Sequence, residues 1–545
     1  MKRYILIILA TLGLSACAEK IDVTNSPLGK GELETSYIAV SLKSDSMDTR
    51  SDNDDYDRGI PEERAVKNAY VFFFQNGQPF IVTDNGSEIT PNGAKNYLKV
   101  NLSGENPDMP NVSDIKNNVL VLRNYKGEYP DQIVAVLNWE PQAYIYTLSD
   151  IRRVVSSVGN DTNGYVMSNS VYVDSAGQMV DAVAITEANI GKSAEEAEEN
   201  PVSIYVERIG AKVVLTTDKT DNLYSVGKNI EGKDIYAKIL NWELYNDHEK
   251  SYLLKNIDGY KDWGGEDFGF SQWNDAVWFR SYWANSLNLI TPFPNNSFSW
   301  NDDVKNHRPG ENSRTYCGEN TKQVDDRNYT NPIDIRTKVI VKARLVESDG
   351  TTPVEVTNWY GHDYLGEETL LQQVANSLKL SYYYSVDNGI TFIGMKPEDI
   401  KCVARNPEEE NAYEVYFQLN DDPINNATVK TWYKYSNGQY VKYDDIESLN
   451  SELSIVQSAL VYKSGMTYYY TDIKHLGKSG TPTEYGVVRN HVYKINITSI
   501  NGYGTPYYDG DIKYLKPEKP KDIVTFVAAQ IHILSWRVVS DGYDF

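Results

Sequence analysis

Tyr37-Ile-Ala-Val-Ser-Leu-Lys43 is an alternating run of side chains near the start of the chain. Ile38, Val40 and Leu42 fall on one face of this run, which predicts a half-buried β-strand. The 42 tyrosines, 10 tryptophans and frequent Asn-Gly and Asp-Gly pairs also favour strands joined by tight turns. Similar strand-like runs are Asn68–Gln75, Val119–Arg123, Gln132–Asn138, Ser203–Thr217, Thr337–Val346, Val461–Thr471, Val487–Ile500 and Thr525–Val539. The sequence therefore predicts an all-β fold with few short helices, and residues 149–158 are one helix candidate.

Composition excludes several classes of protein. The 545 residues are 41% hydrophobic and 24% charged, which is typical of a globular chain long enough for two or more domains. A net charge of -23 disfavours binding to nucleic acid or to anionic lipid headgroups. Only Cys317 and Cys402 follow Cys17, so the chain can form at most one disulfide bond after that residue and no cysteine-based metal cluster.

Residues 1–17 have the layout of a secretory signal. Lys2 and Arg3 precede an apolar run that is too short to span a bilayer. The sequence Leu14-Ser-Ala-Cys17 resembles a bacterial lipobox, in which the cysteine is acylated and becomes the first residue after cleavage. We therefore expect a signal peptide over residues 1–16 and a lipid on Cys17. The alternative is an ordinary signal peptide with an incidental cysteine.

Two segments are typical of linkers. Residues 44–64 are polar and acidic without alternation, and residues 507–522 contain two prolines. Arg50 lies in the first linker, shortly after the strand predicted at 37–43. If a protease cut after Arg50, that strand would lose its covalent tie and could leave. Its departure would expose an apolar groove between two unpaired strand edges, which favours the addition of another strand.

The C-terminal tail, residues 523–545, has the pattern of a strand that could fill such a groove. Its apolar side chains share one face at first and then shift by one position, which predicts a bulge, a kink or a crossing between two surfaces. The two apolar sets are Val527, Ala529, Ile531 and Ile533, followed by Leu534, Trp536 and Val538. The alternative is that the tail completes the sheet of its own domain.

Several blocks of sequence occur in an order and spacing that fit one protein family. The blocks are Val206-Glu-Arg208 with Ala211-Lys212, Phe279-Arg-Ser-Tyr-Trp-Ala284, Tyr316-Cys-Gly-Glu-Asn-Thr321, Val488-Arg-Asn-His-Val-Tyr-Lys-Ile495 with Ser499-Ile500, and Gln530-Ile-His-Ile-Leu-Ser-Trp536. Together they resemble the Bacteroidia fimbrillins of the type V pilus class. The similarity is closest to the major subunit of the short, or minor, fimbriae.

This resemblance implies an assembly mechanism. Subunits of the family are exported as lipoproteins to the outer membrane, an arginine-specific protease removes the N-terminal strand, and the subunits polymerise by donor-strand exchange. The implied cut lies between Arg50 and Ser51, and Arg58 and Arg64 are alternative sites in the same segment. The alternative for all three arginines is that their charges only keep a loop soluble.

The resemblance also implies domain limits and partners. It implies a lipidated propeptide at 17–50, two transthyretin-like β-sandwich domains at 51–207 and 208–506, the linker at 507–522 and a donor strand at 523–545. The mature protein would be the shaft subunit of a cell-surface fimbria that supports adhesion, coaggregation or biofilm formation. Its partners would be copies of itself, the protease, and accessory anchor and tip subunits.

Two other functional classes fit the sequence less well. Residues 263–300 are rich in aromatic side chains that could stack on sugars, so the alternative function is a surface glycan-binding lipoprotein of a polysaccharide-utilisation system. An enzyme is not expected, because the six histidines are scattered and neither a Gly-x-Ser-x-Gly nor a phosphate-binding motif occurs. We expect no catalytic residue, no cofactor and no metal site.

Overall fold

The computed structural model describes residues 33–43, 59–82, 94–100, 102, 118–125, 127–174, 176, 178–258, 283–287, 309, 313–322, 324–325, 333–406, 413–420, 430–475, 484–508, 526–535 and 538–540. These residues form mostly strands with a few short helices, which confirms the all-β fold class. None of the helices in these ranges is long and apolar enough to cross a membrane. The described residues form a first sheet, a β-sandwich, and a module inserted into that sandwich.

The first sheet is built from the N-terminal part of the chain. Its helices are α1 (Pro61–Arg64), α2 (Leu148–Arg153) and α3 (Ala194–Glu199). The strands are β1 (Leu33–Lys43), β2 (Ala69–Gln75), β3 (Gln78–Pro79), β4 (Tyr97–Lys99), β5 (Asn118–Tyr125), β6 (Gln132–Leu137), β7 (Val155–Ser157), β8 (Gly159–Asn160), β9 (Gly164–Tyr165), β10 (Met167–Asn169), β11 (Tyr172–Val173), β12 (Met179–Val180), β13 (Val183–Ala184), β14 (Ile190–Gly191) and β15 (Val202–Arg208). Ten of these strands form one sheet in the order β14-β1-β15-β10-β6-β2-β3, with β5, β4 and β13 pairing to β1, β2 and β6.

Both faces of the first sheet are covered, because separate apolar clusters lie on either side of it. One cluster contains Phe73 and Ile133, and the other contains their strand neighbours Phe72 and Val134. Continuous apolar runs such as those in β2 and β6 are expected when a strand is buried on two faces.

The chain then enters the β-sandwich, leaves it to build the module, and returns. The sandwich begins with β16 (Gly210–Thr217), β17 (Leu223–Lys228), β18 (Asp234–Tyr245), β19 (Lys250–Tyr252), β20 (Arg314–Gly318), β21 (Val324–Asp325), β22 (Ile333–Asp334) and β23 (Lys338–Val346). The module contains β24 (Val356–Trp359), β25 (His362–Leu365), α4 (Glu367–Leu378), β26 (Tyr382–Ser385), β27 (Ile393–Gly394), β28 (Ile400–Ala404), β29 (Val415–Leu419), β30 (Thr431–Ser436), β31 (Gln439–Lys442), α5 (Ile446–Ser454) and β32 (Leu460–Val461). The returning strands are β33 (Met466–Asp472), β34 (His491–Asn501), β35 (Thr505–Pro506), β36 (Phe526–Ser535) and β37 (Val538–Ser540).

The sandwich consists of two five-stranded sheets that enclose one apolar core. Their strand orders are β20-β16-β34-β36-β37 and β17-β18-β23-β33-β35. Val213 and Ile495 contribute to the core from the first of these sheets, and Ile239 and Val341 contribute from the second. Pairing buried strands face to face in this way is the usual arrangement of a β-sandwich.

The inserted module was not foreseen from the sequence. It has a core of its own, to which α4 contributes Leu370, α5 contributes Leu449 and β29 contributes Phe417. It is also the part richest in helix, since α4 has 12 residues. The predicted domain limits at 51–207 and 208–506 stay predictions. That division did not include a separate inserted module.

Tight Asn-Gly turns close two hairpins, as the sequence predicts. Asn76 and Gly77 have φ values of 50° and 73° between β2 and β3. Asn437 and Gly438 have values of 52° and 80° between β30 and β31. A two-residue type I′ loop needs positive φ at both positions, and Asn followed by Gly adopts these angles at low cost.

Several predicted elements differ from the observed ones. The run at 203–217 is divided into β15 and β16, which belong to different sheets. The run at 461–471 is divided as well, because Val461 ends the module and β33 starts at Met466. The helix predicted at 149–158 is the shorter α2, and Val155 already lies in β7.

Candidate assembly site around the first strand

β1 lies inside the first sheet and has neighbours on both edges. On one edge β5 runs antiparallel to it, from Leu33 opposite Tyr125 to Val40 opposite Asn118. On the other edge β14 pairs with residues 37–38, and β15 runs parallel to residues 40–43. Removing β1 would therefore leave unpaired main-chain groups on both sides of the gap.

The centre of β1 is buried on both faces, not only on one. Ile38 and Val40 are fully buried in the cluster that also holds Leu120 of β5 and Ile204 of β15. Ala39, on the opposite face, is fully buried too. The prediction of a half-buried strand is wrong in this respect, because α3 also packs against β1. Leu42 lies in β1 opposite Ile204 in the parallel pairing.

The chain is held firmly soon after the first linker. Glu63 of α1 is fully buried, and its carboxylate lies 2.8 Å from Nζ of Lys212 in β16. The main-chain N–H of Ile60 donates to the same carboxylate at 3.2 Å. Arg208 of β15 donates from Nε to the carbonyl oxygen of Glu63 at 2.8 Å. The buried glutamate thus joins the segment after the linker to the first sheet and to the sandwich.

Tyr316 of β20 completes the surroundings of Glu63. Its hydroxyl donates a hydrogen bond to the Glu63 carboxylate. Burial, followed by this bond, raises the pKa of Tyr316, so the phenol keeps its proton. The linker predicted over residues 44–64 therefore ends earlier than expected, because α1 occupies residues 61–64 and is anchored through Glu63. Arg64, one of the alternative cleavage sites, is partly buried at the end of α1.

A second group of buried charges lies where β15 meets the sandwich. Lys255 Nζ is 3.0 Å from the Glu207 carboxylate, and Arg489 Nε is 3.2 Å from the Glu319 carboxylate. Burial raises the pKa of Glu207, and Lys255 opposes this shift. Arg489 also donates to the carbonyl oxygen of Tyr252 at 2.9 Å. The Lys255–Glu207 pair fixes the C-terminal end of β15, one wall of the β1 groove, to the chain after β19, and Arg489 links that part of the chain to Glu319 after β20.

The tail strand β36 pairs antiparallel with β34 of its own sandwich. The pairing runs from Phe526 opposite Asn501 to Ser535 opposite His491. Its register shift lies between Ile497 and Ser499 of β34, and the pairing continues without a shift through Ile533 and Leu534. The pairing with β34 therefore has no register shift at residues 533–534, where the sequence predicts a bulge, a kink or a crossing between two surfaces. β36 also pairs antiparallel with β37, with Leu534 opposite Val538.

The structure places some of the predicted site residues and not others. Cys17, Arg50, Ser51, Arg58 and Trp536 lie outside the described residues. The backbone positions of Val527, Ala529, Ile531, Ile533, Leu534 and Val538 are described in β36 and β37. Sequence reasoning did not identify the buried ion pair between Glu63 and Lys212. Their only signal is a lysine in the otherwise apolar run 210–215, because Glu63 itself resembles one more acidic linker residue.

Titratable groups elsewhere in the described residues form no catalytic or metal constellation. No group of three or more His, Cys, Asp or Glu residues in those ranges could hold a metal ion. The ring centroids of His475 and His491 are 5.2 Å apart, and burial lowers the pKa of both. Cys317 and Cys402 are free and buried in separate cores.

The aromatic residues considered for glycan binding are placed only in part. Most of 263–300 lies outside the described residues, and Trp283, which is described, is buried against His475 with ring centroids 5.4 Å apart.

The module carries another aromatic surface, which we call the outer aromatic face. Tyr440 is central to it: its ring stacks on Phe392 at 3.7 Å and lies 5.1 Å from Tyr383 and 4.8 Å from Tyr435. Tyr435 and Tyr440 are 41% and 39% exposed. The alternate residues of these strands, such as Trp432, point into the module core instead.

Comparisons with known proteins give one family match and several weak structural similarities. Residues 460–541 match the model of the family described as "Major fimbrial subunit protein type IV, Fimbrillin, C-terminal". No curated protein matches the chain. The matched residues run from β32 to β37 and include both tail strands.

The structural similarities cover nearly whole chains at low identity. A fimbrilin (FimA) from Porphyromonas gingivalis W83 is 13% identical with a TM-score of 0.35, covering 91% of this chain and 96% of that chain. The tip fimbrial protein Mfa3 from Porphyromonas gingivalis, with C-terminal truncation, is 12% identical with a TM-score of 0.29, covering 91% and 99%. A fimbrial assembly protein from Parabacteroides distasonis is 10% identical with a TM-score of 0.26, covering 71% and 97%.

Proposed function

We propose that the chain, whose residues 460–541 match a fimbrillin family model, is a structural subunit of a cell-surface fimbria and not an enzyme, and that it builds the shaft by protease-triggered donor-strand exchange. In this proposal an arginine-specific protease cuts between Arg50 and Ser51 and β1 leaves the first sheet. The tail of another copy then fills the vacated groove. Arg58 and Arg64 remain alternative cleavage sites.

The position of β1 is the observation that carries this proposal. β1 is paired on both edges and buried at its centre, so its loss would open a long groove with an apolar floor. Burying a side chain such as Ile38 stabilises a contact by about 2 kcal/mol, and the unpaired edges of β5 and β15 add main-chain hydrogen bonds. An empty groove of this kind binds a replacement strand strongly.

The anchor at Glu63 supports the same proposal. The described chain resumes at Gly59 and is held through Glu63 to Lys212 and Arg208. A cut after Arg50 would therefore separate β1 from the subunit while the chain after Gly59 stays in place. Of its two walls, β15 belongs to the anchored part, whereas β5 pairs with β1 alone among the described strands and would be held by Leu120 and Leu122 in the shared core.

We further propose a temporary lipid anchor. Acylation of Cys17 would hold the precursor at the outer membrane, and the same cut would release the lipid together with β1. The mature subunit would then contact copies of itself along the shaft and accessory anchor and tip subunits at the ends. Such head-to-tail contacts between unlike surfaces propagate into a filament. The filament would support adhesion, coaggregation or biofilm formation.

Substitution of the cleavage residue tests this function. We expect Arg50→Ala to remain an uncut monomer when treated with an arginine-specific protease, whereas the wild-type chain polymerises. Mass spectrometry of the wild-type product should give a new N-terminus at Ser51. Arg58→Ala and Arg64→Ala serve as controls and should still be cut. Polymers formed by uncut Arg50→Ala protein would refute the proposed trigger.

Carbohydrate binding is a second candidate function, and the outer aromatic face is the observation that favours it. Tyrosine rings offer an apolar face with a polar hydroxyl, which suits a sugar with an apolar ring face and hydroxyl groups. We expect Tyr435→Ala and Tyr440→Ala to abolish binding to neutral oligosaccharides on a glycan array. Tyr144→Ala, which removes a 65% exposed tyrosine between β6 and α2, is the control. Absence of any wild-type binding would exclude this function.

A further inference from the structure

We infer that the tail enters the groove in the same direction as β1, with Val527 in the place of Ile38 and Ala528 in the place of Ala39. This inference rests on the proposed strand exchange and adds to it the direction and register of the incoming strand. In this register the tail runs antiparallel to β5 and parallel to β15 of the neighbouring copy, as β1 does within its own chain.

The two segments have the same sequence pattern when they are aligned in one direction. Ser36-Tyr-Ile-Ala-Val-Ser-Leu-Lys43 is matched position by position by Thr525-Phe-Val-Ala-Ala-Gln-Ile-His532. In this alignment Thr525 corresponds to Ser36, Phe526 corresponds to Tyr37, and the apolar residues fall at the same positions in both segments. Most side chains of the tail would therefore enter a site that already accepts a similar group, and the two larger changes in volume are Ala529 in the place of Val40 and Gln530 in the place of Ser41.

The buried alanine of β1 sets the register. Ala39 is fully buried between two fully buried apolar neighbours, so a larger residue at this position would have to displace packed atoms. Only Ala528 and Ala529 offer an alanine within the tail strand β36. If Ala529 took the place of Ala39, Gln530 would take the place of Val40 or Ile38, depending on direction, and would bury an amide in an apolar site. Ala528 is therefore the residue that fits.

The small residues on either side set the direction. Ser36 and Ser41 are 4% and 7% exposed, so the groove is narrow at both positions. With the tail reversed about Ala528, Phe526 would take the place of Ser41 and Ile531 would take the place of Ser36. In the same direction as β1, these positions receive Gln530 and Thr525, which are polar like the serines they replace. The reversed strand is disfavoured because it would put an apolar side chain at both positions that hold a serine hydroxyl in β1.

Cross-linking between copies tests both direction and register. Tyr37 is opposite Val121 in β5, and Val121 is 49% exposed, so a cysteine is tolerated there. In the inferred register Phe526 of the next copy takes the position opposite Val121, whereas in the reversed strand Gln530 does. Directly opposed residues of antiparallel strands have Cα atoms close enough for a disulfide bond. The two native cysteines that remain after cleavage are buried and should not compete.

We therefore compare Phe526→Cys/Val121→Cys with Gln530→Cys/Val121→Cys after protease treatment and mild oxidation. The first variant should give a ladder of disulfide-linked subunits on a non-reducing gel, and the second should give monomers only. Electron microscopy under reducing conditions shows whether each variant polymerises.

The possible results separate this inference from the function on which it rests. A ladder from the Gln530 variant alone would overturn the direction, while strand exchange would stand. Fibres that give no ladder in either variant would overturn the register. Absence of fibres from cleaved wild-type protein would overturn the proposed function and, with it, the inference.

Discussion

Glu63 is a single residue that connects several distant parts of the chain. Its carboxylate is fully buried and meets Lys212 and Tyr316, while its carbonyl oxygen accepts from Arg208. A buried charge is tolerated only when a partner and hydrogen bonds compensate for the loss of water. The glutamate therefore depends on parts of the chain that are far apart in sequence.

We predict that Lys212→Met destabilises the protein by about 2 kcal/mol, because the buried Glu63 carboxylate loses its nearest cation and keeps only Arg314, whose Nε is 3.9 Å away. Urea unfolding followed by tryptophan fluorescence measures this loss. The double variant Glu63→Gln/Lys212→Met should recover part of it, because no uncompensated charge remains. Lys233→Ala, which removes an exposed ion pair with Glu231, is the control and should not change the midpoint measurably. If Lys212→Met and Lys233→Ala lowered the free energy of unfolding equally, the role of the buried pair would be contradicted.

The histidines of the sandwich core make stability depend on pH. Burial lowers the pKa of His491 to about 4, below the ordinary value of 6.5. Between these values the unfolded chain binds a proton that the folded chain does not, so the free energy of unfolding falls as the pH is lowered from about 6.5 to about 4. The expected loss is about 3 kcal/mol for this group. Unfolding curves at several pH values measure it, and His491→Asn should flatten the dependence, whereas His362→Asn, on the surface, should not.

Sequence reasoning was reliable for individual apolar residues and unreliable for buried charges. The alternation at 37–43 predicted the face that Ile38 and Val40 share, because side-chain direction in a strand follows from local geometry. The same reasoning treated Glu63 as a solvated linker residue. Its partner Lys212 lies well over one hundred positions away, and a local pattern carries no information about such a contact.

At the scale of the element, turns decide where one strand ends and another begins. The run Val461–Thr471 reads as a continuous strand, but Ser464 and Gly465 have φ values of 52° and 72° and interrupt it. A Cβ on Gly465 would lie 2.4 Å from the carbonyl oxygen of Leu345. The break is therefore fixed by a close approach to β23 that the local sequence does not reveal.

We predict that Gly465→Ala lowers the melting temperature more than Gly361→Ala does. Both glycines have positive φ, for which an alanine costs about 1 kcal/mol. Only at Gly465 would the added methyl group also overlap a backbone atom, since no atom lies within 4 Å of a Cβ placed on Gly361. Thermal unfolding by circular dichroism compares the two variants, and similar shifts would show that the backbone at Gly465 moves to accept the methyl group.

Strands were predicted better than helices and connections. Most of the alternating runs became strands, and the fimbrillin resemblance is confirmed by the family match at the C-terminal end. α4 was missed although Leu370 and Val374 recur at helical spacing, because Gly366 stands at its N-cap instead of a residue with a capping side chain. The apolar pattern of the tail did not predict its pairing. The pattern shifts by one position at residues 533–534, but the pairing with β34 continues there without a register shift.

At the scale of the whole molecule, charge works against assembly. Residues 1–50 contain six basic and six acidic residues, so the net charge of -23 remains entirely on residues 51–545. Copies of the cleaved chain therefore repel one another at long range. Salt screens such repulsion, because the Debye length falls from about 30 Å at 0.01 M to about 8 Å at 0.15 M.

We predict that the cleaved subunit polymerises faster as the salt concentration rises over this range. The initial rate of light scattering after protease treatment measures the effect, and the uncut Arg50→Ala protein provides the baseline. Slower assembly at higher salt would mean that attraction between local patches of opposite charge outweighs the net repulsion.

The module joins the sandwich through two neighbouring strands. It leaves after β23 and returns before β33, and these two strands are paired neighbours, with Arg344 opposite Met466. Its two ends therefore lie next to each other, like the two ends of a hairpin, and the chain between them has a core of its own. Changes within the module would therefore alter the surface that the subunit displays while leaving the pairing of β23 with β33 unchanged.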